Sequence, residues 1–306
     1  MFSRTKGKSW QIKVVVTGGL GDCLLATPFI RFFYKSGCYN KIICAIPEQA
    51  KEIFDQNPYI DVLIPCHGQD LFLWAAPESD SDIFSPYIEV GIPDKIDTHF
   101  NIPVSHILSP NQCPGSIVRQ VAEYHKIPLQ DEALDIYTTC QDEQWAEDFT
   151  AGLNEKPGIF LNLESRLSEK NLPEILSREI VQRLADRFTI IQTVPTSYGS
   201  DASINLLPSL TIRQGAALFK RLYAILTVDS FPGHLAWAVG TPAVVIFGPS
   251  NPNVFGHSGN RNIRSNNCPP CADTPRKNNC KKAVCLEELH VDDILNELYS
   301  LQSHSK

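Results

Sequence analysis

Between Asp229 and Pro249 the chain leaves an apolar run, passes a short polar turn and a helical stretch, stops at Gly240-Thr241-Pro242 and enters a second apolar run. That is one strand-helix-strand unit, and it restricts the surrounding chain to an α/β fold in which polar residues gather at the carboxyl end of a strand, where open sheets bind ligands. Leu226-Thr227-Val228 feeds Asp229 and Ser230, and the helix starts near Phe231-Pro232-Gly233. Proline is tolerated in a first turn because no amide donor is needed there. The open amides and positive end of such a helix suit an anion, and they would face the same crevice as Asp229 and His234. The same residues also fit an ordinary helix with an Asp/Ser cap and a surface histidine.

The alternation extends along the chain. Ile12–Thr17 reads as a buried strand, followed by a glycine turn at 18–22, a helix over Cys23–Lys35 containing Pro28, a strand at Ile42–Ile46, a helical Pro47–Gln56 and a strand at Ile60–Pro65. Residues 68–111 are proline-rich and weakly patterned, with a β-like piece at Tyr87–Ile92. A helix at Ser116–His125, a strand at Ala133–Tyr137 and a polar helix at Asp142–Leu153 follow. In the second half, Ile159–Leu163 and Thr189–Val194 read as strands, and Pro173–Arg187 and Ile212–Leu222 as helices. At 306 residues the chain exceeds one core. The turn formers Asn154-Glu155-Lys156-Pro157-Gly158 mark the expected boundary, giving two Rossmann-like domains, 1–154 and 155–306, that face a central ligand cleft.

Composition narrows the function classes. A net charge of -7 argues against nucleic acid as a partner, since phosphate-backbone binding rests on clustered Lys and Arg. No apolar run reaches the roughly 20 residues needed to cross a bilayer. The basic start, MFSRTKGKSW, leads into a strand and glycine turn rather than a signal-peptide core, so a cytoplasmic location with reduced thiols is expected. Cys23, Cys38, Cys44, Cys66, Cys113 and Cys140 then read as small core or surface residues.

Two constellations stand out beside the opening unit. Thr17–Pro28 has glycines for a tight turn but not the G-x-G-x-x-G spacing of a dinucleotide site, and Asp22 at the helix start is either a cap or a general base. Cys268-Pro-Pro-Cys271-x8-Cys280-x4-Cys285 places four thiols in a short polar segment, which suits tetrahedral metal ligation. Zinc is favoured and iron is the alternative. Four thiolates leave no open position, so the metal would be structural; free thiols or a redox pair at Cys268 and Cys271 are the other readings. Asp80-Ser81-Asp82 has the form of a metal-binding DxD, but without a supporting strand it reads as solvated loop.

Gly-Leu-Gly-Asp-x-Leu-Leu-x-Thr-Pro at Gly19–Pro28, with Asp229-Ser230-x-x-x-His234-Leu-Ala and Gly240-Thr-Pro-x-Val-x-x-Phe-Gly-Pro249, resembles the bacterial heptosyltransferases of glycosyltransferase family 9. The resemblance implies a GT-B architecture and inverting transfer from a nucleotide sugar, typically ADP-heptose, without a catalytic divalent metal. It makes Asp22 the catalytic base and puts Gly21 beside the donor. The family's Lys-x-Trp-Pro stretch corresponds to Lys170-Asn171-Leu172-Pro173, which sets Lys170, assisted by Arg166, at the donor diphosphate. Asp229 would accept from sugar hydroxyls, and Ser230, Gly233 and His234 would contact sugar and diphosphate. Phe231-Pro232 departs from the family's Gly-x, and 193–203 lacks its Gly-Gly-x-x-Glu-like turn, leaving Asp201 as a weak ribose-binding candidate. The acceptor implied is a lipopolysaccharide core, another surface glycan or a protein side chain, with its pocket expected in 68–111 and peripheral contact at the inner face of the plasma membrane. A protein O-glycosyltransferase of the same family, a sugar-nucleotide epimerase or hydrolase, and a non-catalytic carbohydrate-binding or scaffold protein are the alternatives.

Overall fold

The computed structural model describes residues 10–68, 70–74, 81–86, 115–153, 156–193, 204–272, 280 and 283–301. Contacts divide the chain into two compact units, Met1–Tyr137 and Thr138–Lys306.

The first unit holds four parallel strands, β1 (Gln11–Val15), β2 (Lys41–Pro47), β3 (Val62–Cys66) and β4 (Ser81–Phe84), in the order β3-β2-β1-β4. β2 is buried from Ile42 to Pro47 because helices cover both faces of a parallel sheet. The sheet grows from β1 toward β3 on one side and returns to β4 on the other. The switch point therefore lies beside β1, whose carboxyl end delivers the glycine turn at 18–19.

Three expectations change here. The single helix over 23–35 is two, Leu20–Leu25 and Thr27–Ser36, broken at Ala26; Pro28 lacks an N–H and takes a first-turn position in the second helix. Ser81 and Asp82 are not solvated loop: they belong to β4, and Asp82 accepts hydrogen bonds of 2.9 Å from Trp10 Nε1 and from Tyr39 Oη. Residues 133–137 form no strand, because their polar groups are taken by side chains of the helix Thr27–Ser36 instead of a ladder. Arg31 donates to the Ala133 carbonyl and pairs with Asp131 and Asp135, and the Asp135 N–H donates to Thr27 Oγ1 at 2.8 Å. Asp80, Tyr87–Ile92 and much of the expected acceptor region lie outside the described residues.

The second unit is a six-stranded parallel sheet, β10-β9-β8-β5-β6-β7, of β5 (Gly158–Asn162), β6 (Thr189–Gln192), β7 (Ile204–Leu206), β8 (Ala224–Val228), β9 (Ala243–Ile246) and β10 (Arg261–Ile263). Its core joins Leu161, Leu226, Val228, Val244 and Ile246 to Ile180 and Leu184 of the helix Glu174–Ala185 and to Ile294, Leu295 and Leu298 of the helix Val291–Ser300. The unit begins ahead of the turn expected at 154–158. The helix Cys140–Ala151 packs on Ile212–Phe219, with Lys220 paired to Glu143 at 2.6 Å and Arg213 to Asp142 at 3.2 Å, and so belongs to the second unit. The strand order turns back between β5 and β8, and their carboxyl ends, Asn162 and Thr227 in register, frame the second switch point.

Candidate functional site

At that switch point Asp229 leaves β8 with its N–H bonded to the Ile246 carbonyl at 2.9 Å, so the sheet ladder fixes where the carboxylate emerges. Asp229 Oδ2 lies 2.6 Å from Lys170 Nζ, with the side chains 5% and 20% exposed. The lysine comes from a different element, the 3₁₀ turn Ser168–Lys170 after β5. Leu172 anchors that turn: its N–H bonds the Leu163 carbonyl at 3.0 Å and its side chain is buried, while Asn171 Oδ1 accepts from Ser165 N–H at 2.7 Å. A cation held this way loses little side-chain freedom when a ligand arrives.

Ser230 precedes the helix Phe231–Val239, but its hydroxyl does not cap it. It donates to the Val228 carbonyl at 3.0 Å and accepts from Asn162 Nδ2 at 3.1 Å, while the same amide nitrogen reaches Thr227 Oγ1 at 3.2 Å and the Glu164 carbonyl at 2.9 Å. Serine serves here as a strut across the switch point, and the positive end of the helix is left without a side-chain cap. Gly233 lets that helix approach the sheet, since a Cβ there would lie 3.2 Å from Val245. His234 is buried beside Asp229; burial pushes its pKa down to about 4, with Asp229 opposing that shift and Lys170 adding to it.

Lys170, Asp229, Ser230, Gly233 and His234 are thus brought together in one unit. Arg166 is exposed on the loop after β5. Asn162, Thr227 and His257 are partners that the sequence reading missed. The strand pairing that puts Asn162 against Thr227 would have flagged them, whereas nothing in the spacing signals His257.

Gly21 and Asp22 lie in the first unit, at the start of the helix Leu20–Leu25. Asp22 Oδ2 accepts the Gly19 N–H at 2.8 Å, so the carboxylate serves at least as the cap of this turn. Gly18 has φ +94°, and a Cβ on it would lie 2.5 Å from Asp22 Oδ2, so glycine is required for the carboxylate to fold back over the turn.

In the cysteine segment, Cys271 and Cys285 are buried, Cys268 is half-buried and Cys280 is exposed. Cys271 is tied down by a 2.8 Å bond from its N–H to the Pro249 carbonyl, directly after β9 and its turn. Burial pushes the Cys285 thiol up to about 11, and Cys268, Cys271 and Cys280 all add to the rise while Arg264 opposes it. The four sulfurs therefore share one electrostatic neighbourhood, although among the described residues no group of three His, Cys, Asp or Glu is close enough to hold a metal. No helix among the described residues is long and apolar enough to cross a membrane.

The profile of glycosyltransferase family 9 (heptosyltransferase) matches residues 174–284. Lipopolysaccharide heptosyltransferase 1 of Pseudomonas aeruginosa is 29% identical over 129 residues, which is 38% of this chain and 34% of that protein, so the match spans about a third of the curated relative. Among solved structures, a family 9 glycosyl transferase from Veillonella parvula superposes with a TM-score of 0.74 at 17% identity, covering 98% of this chain and 99% of that one. The dodecameric iron-containing heptosyltransferase TibC of enterotoxigenic E. coli, solved with ADP-D-β-D-heptose, gives a TM-score of 0.58 at 14% identity, covering 96% of this chain and 77% of that one. The fold is shared along nearly the whole chain, in agreement with the expected GT-B type α/β architecture.

Proposed function

We propose, from the match of residues 174–284 to the profile of glycosyltransferase family 9 (heptosyltransferase), that this chain is an inverting glycosyltransferase that takes a sugar from a nucleoside diphosphate, with ADP-heptose as donor and a surface glycan or lipopolysaccharide core as acceptor. The observation that carries this reading is the Lys170–Asp229 pair at 2.6 Å beside the uncapped start of the helix Phe231–Val239. Pro232 has no N–H and the Gly233 N–H bonds the Ser230 carbonyl at 3.0 Å, so what the helix start adds beside the pair is the positive end of its dipole at a switch point, an arrangement suited to a diphosphate.

In this reading the acceptor oxygen attacks the anomeric carbon as its proton passes to Asp22. The bond from that carbon to the β-phosphate oxygen breaks, and the nucleoside diphosphate leaves with the bonding pair. Lys170 and the helix start stabilise the charge that develops on the leaving oxygen, and their contribution rises toward the transition state. Asp229 orients Lys170 through Oδ2 and offers Oδ1 to a sugar hydroxyl. Asp22 accepts the Gly19 N–H through Oδ2, which aims its carboxylate as a base needs to be. Incubation of the purified chain with ADP-heptose and candidate acceptors tests the reading: ADP release that depends on acceptor supports it, and acceptor-independent hydrolysis or epimerisation of the donor replaces it.

The four-cysteine segment is proposed to hold one structural metal ion, with zinc or iron as the candidates and Cys268, Cys271, Cys280 and Cys285 as ligands. The influence of Cys268, Cys271 and Cys280 on Cys285 supports this, as does the iron content stated for TibC. Such an ion would clamp the loop that follows β10 and supply no step of the transfer.

A further inference from the structure

His234 has a partner that the transfer mechanism does not use. Its Nδ1 lies 2.8 Å from Nε2 of His257, with the rings at 84°. Trp237, one turn further along the same helix, stacks on His257 at 5.3 Å and 5°. The segment carrying His257 has little freedom to move. Its carbonyl accepts from Asn262 Nδ2 at 3.0 Å. A Cβ on Gly256 would fall 2.4 Å from the Pro252 carbonyl, and one on Gly259 would fall 2.3 Å from Trp237. An aromatic stack, a side-chain bond and two positions that admit only glycine thus fix one imidazole against another.

A bond between two imidazoles carries one hydrogen, and its direction decides what the far nitrogen of His234 presents. Burial pushes His257 down to about 3, with His234 adding to the shift, and holds His234 near 4, so at neutral pH both rings are uncharged. Two arrangements then remain. If His234 donates from Nδ1, its Nε2 is a lone pair. If His257 donates instead, His234 carries its hydrogen on Nε2. A diphosphate oxygen only accepts, and so does the carboxylate of Asp229, the anion acting on His234. Only the second arrangement gives either of them a hydrogen.

We propose that His257 is a positioning residue: it donates from Nε2 to Nδ1 of His234 and so fixes the tautomer in which His234 offers Nε2–H to a phosphate of the nucleotide-sugar donor. This rests on the donor site given above. The void that His257 lines with Asp229, Ser230, Gly233 and His234 is about 10 Å³, barely room for one water, so a phosphate does not reach His257 itself.

The test combines long-range ¹H–¹⁵N correlation spectra of histidine-labelled protein with ADP titrations of wild type, His257→Gln, His257→Phe and His234→Ala. Wild-type His234 is expected as the Nε2–H tautomer. His257→Phe keeps a ring against Trp237 but loses the donor, and it should release the tautomer and weaken ADP about tenfold, the usual weight of one hydrogen bond to a charged group. His257→Gln, whose amide can donate to Nδ1, should restore both. A wild-type Nδ1–H tautomer overturns the proposal, as does a His257→Phe protein with tautomer and ADP affinity unchanged. If the phenylalanine variant does not fold, the wild-type spectrum and the glutamine variant still decide. ADP binding equal in wild type and His234→Ala removes the His234–phosphate contact and overturns the proposal, whereas no ADP binding to wild type would overturn the donor site on which it rests, and the wild-type tautomer keeps both separate from failure of the His257 contact.

Discussion

Lys170→Ala separates two consequences of one ion pair. The lysine side chain is 20% exposed and that of Asp229 is 5% exposed, with 2.6 Å between charged atoms. Removing the lysine leaves Asp229 buried without its counter-charge. Breaking a fully buried pair costs about 3–5 kcal/mol, and water reaching the part-exposed lysine lowers this to about 1–3 kcal/mol. The catalytic consequence has another origin. A unit charge roughly 4 Å from a phosphate oxygen is worth about 4 kcal/mol at an effective dielectric constant near 20, and part of that is already felt in the ground state. The loss expected in the single-turnover rate is therefore about 10²–10³-fold, accompanied by weaker ADP binding. Adding Asp229→Asn removes the stranded charge, so the double variant should regain most of the stability measured by urea unfolding while its rate stays low. A Lys170→Ala protein that is destabilised but keeps donor affinity and single-turnover rate within about threefold of wild type would make the lysine a structural strut only and refute the reasoning.

Asp22→Asn should reduce transfer by about 10²–10⁴-fold with ADP affinity nearly unchanged, since the amide keeps the shape and loses the basicity; initial rates within about threefold of wild type would remove Asp22 from the mechanism. Protein purified without chelator should carry one zinc or iron ion per chain, and its mild removal should lower Tm before it lowers the initial rate; elemental analysis showing less than about a tenth of an equivalent would end the claim. Burial pushes His125, His234 and His257 well below 6.5, to about 4, 4 and 3. Below pH 6.5 the unfolded chain binds protons that the native rings refuse, so stability is full above 6.5 and falls as pH drops toward the folded values, by up to about 1.4 kcal/mol per pH unit per ring. Urea midpoints that stay flat between pH 7 and 5 would show that these rings are not buried as neutral bases.

The candidate site was more legible than its scaffolding. Asp229, Ser230 and His234 could be placed at a strand end because an apolar run stops abruptly at two polar residues before a proline-tolerant helix start. Lys170 lies 59 residues away in sequence, and only the resemblance of its short loop motif drew attention to it. Residues 133–137 misled as a strand because alternation reports one-sided burial, and the segment is half-buried against Arg31 and Thr27 rather than paired.

Local chemistry, then, was determined by the sequence itself: two runs of alternating strands and helices, a glycine turn at 18–22, a helix with proline in its first turn, and four thiols in one short segment. These follow from steric and hydrogen-bonding rules that act within a few residues. The tertiary structure decided what crosses between elements. It paired β5 with β8 so that Asn162 meets Ser230, carried Lys170 to Asp229, assigned the helix Cys140–Ala151 to the second unit, and set His257 on His234 under Trp237. Such contacts depend on strand order and on the burial of faces that are distant in sequence, and neither is encoded in any one window of residues.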